Sequence, residues 1–364
     1  MNIDKDKIKK ILIFKLCCLG DIVMLTPVIN TLKENFPDAH ITVIVCSWVK
    51  GITGYLKNVD SVIINDDLYK NKLADKLKGV LNIISVLMEH SFDLAFLGHR
   101  NNIFGLILKL SRIKYRLGFS GTKFINYGEP FDEKQHEVYR YLSILNSIGI
   151  EPKSRQLELK RKYKRDEIKS KFNIEDGKFI IGVFPFGGIN PGTGMNIKRW
   201  ELKKYFELIE KLLKKFPDSL ILLFEGSEKD EKINELLHDR SIIKLEINFS
   251  LISVCNILVS GDTGAMHIAA GFNVPTLSVF GPTDPKLLAP LNTQTDMKVI
   301  HRYIWKKPEC SPCYTPETAI DKKNSKYWRD GYFICHTGTH VCMKEITAEE
   351  VFQNFIEMIK IIKE

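Results

Sequence analysis

The sequence has no uninterrupted apolar run of the roughly 20 residues that a membrane-spanning helix requires. Its longest apolar stretches, residues 80–88 and 252–259, are broken by Asn or Ser, so no transmembrane helix is expected. An export signal is missing too. The basic N-terminal segment leads into only Ile11, Leu12, Ile13 and Phe14 before Lys15 intervenes, which is too short for the apolar core of a signal peptide. A cytoplasmic protein is therefore expected. The first strand-to-helix turn lacks G-x-G-x-x-G, which disfavours a nicotinamide dehydrogenase. Basic residues are dispersed, with no stacking aromatics alternating among them, which disfavours a nucleic-acid-binding protein or scaffold.

What is present is a chain of 364 residues, and at about 150 residues per domain that length suggests two domains. With 44% hydrophobic and 27% charged residues, it is too apolar for disorder and can bury real cores. Lys and Arg number 53 against 44 acids, a net charge of +9, which favours polyanionic partners such as nucleotide phosphates or anionic head groups. Of eight cysteines, Cys17, Cys18, Cys46 and Cys255 stand in apolar contexts. Cys310, Cys313, Cys335 and Cys342 cluster near the C-terminus, where in a non-exported chain they suggest a metal site more than disulfides.

Hydrophobic periodicity predicts strands alternating with helices, first over residues 9–110 and again over residues 179–279, and hence parallel sheets with right-handed crossovers. In the first half the expected strands are 9–16, 39–46, 61–64 and 94–97, and the helices 22–34, 73–90, 103–110 and 136–147. The second half reads as strands 179–184, 220–224, 257–260 and 276–279 with helices 200–215, 229–237 and 265–271, followed by a terminal helix at 348–362. The Lys- and Arg-rich residues 153–171 are read as the connection between domains. Two Rossmann-like halves direct attention to the loops that follow strands, where ligands bind in open α/β folds.

Leu19-Gly20-Asp21 lies in the first such loop, and Asp21 reads either as a general base or as the N-cap of the next helix. Residues 186–194, Phe186-Gly187-Gly188-Ile189-Asn190-Pro191-Gly192-Thr193-Gly194, lead through Lys198-Arg199-Trp200 into a helix. Backbone amides, a helix start and a cation suit a phosphate; the alternative is a flexible surface loop. In Gly261-Asp262-Thr263-Gly264-Ala265-Met266-His267 a strand ends where a helix begins, and the side chains and free amides there can hold an anion or hydroxyls. His267, one turn in, either faces the same ligand or is structural. Phe280-Gly281-Pro282-Thr283-Asp284-Pro285 closes the next strand with a rigid turn.

Taken together, Leu19-Gly20-Asp21, Lys198-Arg199-Trp200, the Gly261 to His267 stretch and the Phe280 to Pro285 turn are similar to glycosyltransferase family 9, the lipopolysaccharide heptosyltransferases. The resemblance implies a GT-B architecture: an acceptor-binding Rossmann-like domain over residues 1–165 and a nucleotide-sugar-binding one over 166–345, with a cleft between them. A Cys-rich loop spans 305–342, and the resemblance implies that the terminal helix, 346–364, packs back on the first domain. It implies inverting transfer of heptose from ADP-L-glycero-β-D-manno-heptose to a lipopolysaccharide inner-core acceptor, without a catalytic cofactor. Asp21 matches the catalytic base, and Lys198 the cation that balances the departing diphosphate. Gly187, Gly188, Thr193, Asp262, Thr263, Gly264 and His267 match donor contacts, as does Asp230, with Glu231 beside it, for the ribose. Gly20, Arg100, His136 and Arg140 match the acceptor side, where cations suit an anionic core sugar.

The cysteines resemble a feature of a subset of the family that modifies proteins and holds iron through four Cys. A structural zinc or iron at Cys310, Cys313, Cys335 and Cys342 is the corresponding expectation, with His336 or His340 able to replace a Cys and free thiols as the alternative. Protein heptosylation is the alternative activity. Peripheral association with the inner face of the cytoplasmic membrane, through basic surface, completes the expectation.

Overall fold

The computed structural model describes residues 3–69, 73–190, 193–226, 241–293 and 299–363. The chain divides into two units, Met1–Lys160 and Arg161–Glu364. The sequence reading put the boundary after residue 165. It falls earlier because the basic stretch already serves the second unit: Arg161 donates to the Phe272 carbonyl at 2.8 Å and Arg165 to that of Val254 at 2.7 Å.

In the first unit six strands form one sheet: β1 (Lys10–Phe14), β2 (His40–Val45), β3 (Ser61–Ile64), β4 (Leu94–Leu97), β5 (Tyr115–Phe119) and β6 (Tyr127–Glu129). Their order is β3-β2-β1-β4-β5-β6, with every pairing parallel. The apolar run Ile11 to Phe14 is fully buried, as expected for a central strand covered on both faces. On one face, Leu12, Phe14 and Leu97 pack with Ile83 and Leu87 from the helix Leu73–His90 and with Ile107 and Leu108 from the helix Asn102–Leu110.

The single helix expected over residues 22–34 is two, Leu19–Met24 and Thr26–Asn35. Pro27 lacks the amide that a continuous helix would need, and the Thr26 hydroxyl binds the Val23 carbonyl at 2.8 Å to close the break. The helix expected over residues 136–147 also shortens, to Glu137–Ser143, and tightens into a 3₁₀ turn over Ile144–Ile148.

The second unit repeats the plan with β7 (Phe179–Phe184), β8 (Ser219–Glu225), β9 (Ile242–Glu246), β10 (Ile257–Gly261), β11 (Thr276–Phe280) and β12 (His301–Trp305). Their order is β9-β8-β7-β10-β11-β12, again parallel. Counted within each unit, both sheets run 3-2-1-4-5-6, so strand order reverses beside β1 and beside β7, where α/β folds bind ligands. The helix expected at 229–237 lies outside the described residues. The terminal helix Ala348–Lys363 packs on Leu202–Lys215 of its own unit: Lys211 pairs with Glu349 at 2.6 Å, and the Phe355 and Phe216 rings stand 6.1 Å apart. No described helix is long and apolar enough to cross a membrane.

Candidate active site

β1 delivers the first constellation. Beyond its end the chain passes Lys15 and Leu16, both buried, and turns through Cys18, whose φ of 73° is unusual for a residue with a side chain. Cys18 holds the N-cap position of the helix Leu19–Met24 without a side-chain cap. Asp21 is therefore the third residue of that helix, not its N-cap, and Gly20 the second. The Lys15 ammonium lies 2.7 Å from Asp21 Oδ2, with 6% of the lysine side chain and 31% of the aspartate side chain exposed.

Lys15 also donates to the Gly98 carbonyl at 3.1 Å and to the Tyr141 hydroxyl at 3.2 Å. Burial works against its charge, but the Asp21 carboxylate, then Tyr141 and the thiols of Cys17 and Cys18, hold its pKa well above the ordinary value. Beside it, His99 accepts the Leu16 amide on Nε2 at 3.0 Å. Burial and then the Lys15 charge push His99 well below its usual pKa, so it is neutral. The Cys17 thiol falls to about 6, first through its contact with the Cys18 thiol, against burial, and then through Lys15; the two sulfurs are 3.6 Å apart.

The three cationic residues expected on the acceptor side have different surroundings. His136 is buried and N-caps the helix Glu137–Ser143, its Nδ1 accepting the Val138 amide at 3.2 Å. Arg140 is also buried, pairing with Glu137 at 2.7 Å and donating to the Asp132 and Glu133 carbonyls at 2.6 Å each. Both residues thus build the helix that carries Tyr141 to Lys15. Arg100 is exposed, its guanidinium 3.6 Å from the centroid of the Phe131 ring, where stacking orients a cation at the surface.

The second constellation sits at the ends of β7, β10 and β11. Lys198 Nζ lies 2.7 Å from Asp262 Oδ2, and the Thr283 hydroxyl donates to the same oxygen at 2.6 Å. Asp262 is buried; burial opposes its charge, but Lys198, then Thr283 and His267, keep its pKa below the ordinary value. The ammonium also rests 5.1 Å from the Tyr314 ring centroid.

Thr263 caps the helix Gly264–Gly271 in position only. Its hydroxyl is buried with no hydrogen-bond partner among the described residues, and a buried hydroxyl left so costs free energy that a ligand can recover. Gly187 faces it with φ +116°, and a Cβ there would come 2.5 Å from Thr263 Cγ2, so only glycine allows this approach. Gly188 follows with φ +82°, and Arg199 Nε fixes the turn by donating to the Gly187 carbonyl at 2.8 Å. Positive-φ backbone next to a helix start with an adjacent lysine makes an anion cradle.

Described parts of this glycine-rich segment are held by pairing. Ile189–Asn190 pairs with Thr193–Gly194, which joins Tyr332–Phe333 of the Cys-rich region. Thr193 receives a hydrogen bond from Lys322 at 3.1 Å. Gly264 and His267 lie on the helix after Thr263, with His267 buried. Asp230 and Glu231 lie outside the described residues.

Cys310, Cys313 and Cys335 are partly exposed and Cys342 is buried. Burial, then Cys313, Cys310 and Cys335 in turn, push the Cys342 thiol up to about 12, so the fold gathers all four into one electrostatic neighbourhood. Among the described residues, however, no three His, Cys, Asp or Glu side chains form a group placed to hold a metal ion. The loop is tied to the site by backbone: the Pro282 carbonyl accepts the amides of Cys313 and Tyr314 at 2.9 Å each, and Tyr314 lies against Lys198. Lys15, Tyr141 and Tyr314 escaped the sequence reading. Only Lys15 carried a signal, as a charge closing an apolar strand.

One Rossmann-like unit thus holds an anion cradle and the other a lysine-held carboxylate. The family model described as glycosyltransferase family 9 (heptosyltransferase) matches residues 85–322, more than half of the chain. The chain belongs to glycosyltransferase family 9. The matched stretch contains Lys198 and the Asp262 to His267 segment, whereas Asp21, Cys335 and Cys342 lie outside it.

This family 9 chain is 27% identical to lipooligosaccharide heptosyltransferase 2 of Campylobacter jejuni over 359 residues, 94% of this chain and 96% of that protein. The structure of E. coli ADP-heptose lipopolysaccharide heptosyltransferase II superposes with a TM-score of 0.71 at 20% identity, covering 96% of this chain and 98% of that one. E. coli heptosyltransferase WaaC, solved with ADP-2-deoxy-2-fluoro heptose, gives 0.67 at 17% identity, covering 96% and 99%. The fold is the α/β GT-B class expected from the sequence, and the family 9 chain is a glycosyltransferase.

Proposed function

We propose that this glycosyltransferase moves heptose from ADP-L-glycero-β-D-manno-heptose to an inner-core sugar of lipopolysaccharide, with inversion at the anomeric carbon. In this reading the bond from the anomeric carbon to the diphosphate oxygen breaks, and one from the acceptor oxygen to that carbon forms on the opposite face. The acceptor proton passes to Asp21, and ADP leaves with the electron pair of the broken bond. Supporting the base role, Asp21 presents Oδ2 to the Lys15 ammonium, while Oδ1 remains to accept a hydroxyl proton.

The observation that carries the donor assignment is the unpartnered Thr263 hydroxyl at a helix start, pressed by Gly187 and flanked by the Lys198–Asp262 pair. A diphosphate there accepts from Thr263 and the helix amides while Lys198 balances the charge that develops as the bond breaks. Asp262, already bound to Lys198 and Thr283, orients that lysine. Arg100, stacked and exposed, suits an anionic acceptor. Relatives named for lipooligosaccharide transfer favour a lipid-linked acceptor over a protein one.

For the four thiols we propose a structural role. A set of four sulfur donors suits zinc or iron, and a metal at Cys310, Cys313, Cys335 and Cys342 would fix the loop that bears Tyr314; it enters no catalytic step. Metal analysis of purified protein, compared with Cys313→Ser/Cys342→Ser, supports this if bound metal is lost with the thiols. Absence of metal from anaerobically purified wild type contradicts it. The activity itself is tested by incubating enzyme, ADP-heptose and heptose-deficient lipopolysaccharide, with mass spectrometry and anomeric proton NMR of the product. One added heptose of inverted configuration is expected; no transfer, or retention, overturns the reading.

A further inference from the structure

The helices Leu73–His90 and Asn102–Leu110 lie side by side on one face of the first sheet, anchored by Ile83, Leu87, Ile107 and Leu108. Their outer surfaces are not the polar faces expected of helices on a globular unit. Leu77 is 60% exposed and Leu81 68%, one turn apart on the longer helix; on the shorter, Ile103 is 55% and Leu110 50% exposed. Met88, at 39%, continues the Leu77 and Leu81 stripe. Contiguous apolar surface of this kind marks an interaction site.

Its charge says what kind. Lys76 and Lys78 flank the stripe, Lys109 lies on the shorter helix, and exposed Arg112, Lys114 and Lys123 follow in the adjoining turns. The acids on these two helices are Asp75 and Glu89. A stripe of long apolar side chains ringed by cations matches a bilayer's acyl boundary and its anionic head groups. At 1.5 Å per residue the longer helix extends roughly 27 Å. Its four acidic and basic side chains, Asp75, Lys76, Lys78 and Glu89, make it a helix that lies on a membrane and does not cross it.

We propose that the outer face of helices Leu73–His90 and Asn102–Leu110 binds an anionic lipid bilayer, with Leu77, Leu81, Ile103 and Leu110 entering the acyl boundary and the lysines at head-group level. The loop after β4, which carries Arg100, leads directly into the second of these helices at Asn101, so a docked unit holds its exposed arginine close to the lipid surface. This assignment does not depend on which sugar is transferred.

The test is co-sedimentation of the intact protein with vesicles of phosphatidylcholine, with and without phosphatidylglycerol. Wild type should bind the phosphatidylglycerol vesicles selectively and release as salt rises. Leu77→Ser/Leu81→Ser should bind about ten-fold or more weakly, and each of Lys76→Gln and Lys78→Gln on the order of five-fold more weakly. Transfer by the leucine variant to a short water-soluble acceptor should match wild type, which separates loss of docking from loss of catalysis. Equal binding to both vesicle types, or unchanged binding by the leucine variant, overturns the proposal. So does sedimentation velocity showing a wild-type dimer that Leu81→Ser dissociates, because the face is then covered by a second copy of the chain.

Discussion

The Lys15 ammonium and the Asp21 carboxylate stand 2.7 Å apart, the lysine buried and the aspartate half open. That asymmetry makes the lysine dependent on the acid more than the reverse, because a buried ammonium has little water to fall back on. Asp21→Asn should therefore cost stability as well as activity. We expect transfer to fall by about 10²–10⁴-fold from loss of the base. Unfolding free energy should drop by about 2 kcal/mol, below the usual cost of breaking a buried pair because Asp21 is partly solvated. Lys15→Met should retain the fold while transfer falls, since the carboxylate then loses the ammonium 2.7 Å away that positions it. Steady-state rates and urea unfolding check both.

Lys198 and Asp262 form the corresponding pair of the second unit, with the carboxylate more deeply buried than Asp21 and further secured by Thr283. Lys198→Met leaves the buried Asp262 carboxylate without its cation, and should destabilise the protein by about 3–5 kcal/mol. Lys198→Met/Asp262→Asn should recover much of that stability without recovering activity, so a double-mutant cycle separates structure from catalysis.

The pH dependence follows from the direction of each shift. Asp262 is depressed in the folded state, so its stabilisation is present above the unfolded carboxylate pKa of about 3.9 and is lost as pH falls through the lower folded value. Lys15 is raised; its contribution is complete below the unfolded lysine value of about 10.4 and is lost as pH rises through the higher folded value. Denaturant melts should show Asp262→Asn flattening the acid limb and Lys15→Met the alkaline one.

Gly187 tests the anion cradle. Its positive φ and its closeness to Thr263 mean that Gly187→Ala must strain the turn or push the threonine aside, at a cost of about 1–3 kcal/mol. Binding of ADP should weaken about ten-fold or more, as each 1.4 kcal/mol is a factor of ten. Calorimetric titration with ADP checks this; an unchanged Kd would place the diphosphate elsewhere.

Cys17 should be the thiol that alkylates fastest, with a rate rising through pH about 6. It stands in the turn that leads to Asp21, so the adduct should block transfer, and Cys17→Ser should resist. Peptide mapping after limited iodoacetamide treatment reads both.

The alternating apolar runs made the central strands legible, because strands such as Ile11 to Phe14 and Phe179–Phe184 are covered on both faces and must be continuously apolar. β5, β6, β9 and β12 escaped: Arg116 and Gly118, Gly128 and Glu129, Lys244 and Glu246, and Arg302 interrupt strands that lie toward the sheet edges. At the site, Asp21, Lys198, Asp262 and Thr263 could be named from loop position and motif. Their partners could not, since Tyr141 and Tyr314 arrive from 126 and 116 residues away in sequence and carry no local pattern. The burial of His136 and Arg140, and the capping and pairing they supply, were equally hidden, since a motif residue and a buried capping or packing residue look alike until burial is known.

The central claim is that the cradle formed by Gly187, Lys198, Asp262 and Thr263 holds an ADP-linked sugar. The most direct measurement is thermal unfolding with ADP, UDP, GDP and ADP-heptose, where a ligand at 100 times its Kd adds about 2.7 kcal/mol. The account predicts stabilisation by ADP and ADP-heptose that falls by about 1.4 kcal/mol or more in Gly187→Ala. Stabilisation by UDP or GDP in their place would contradict it.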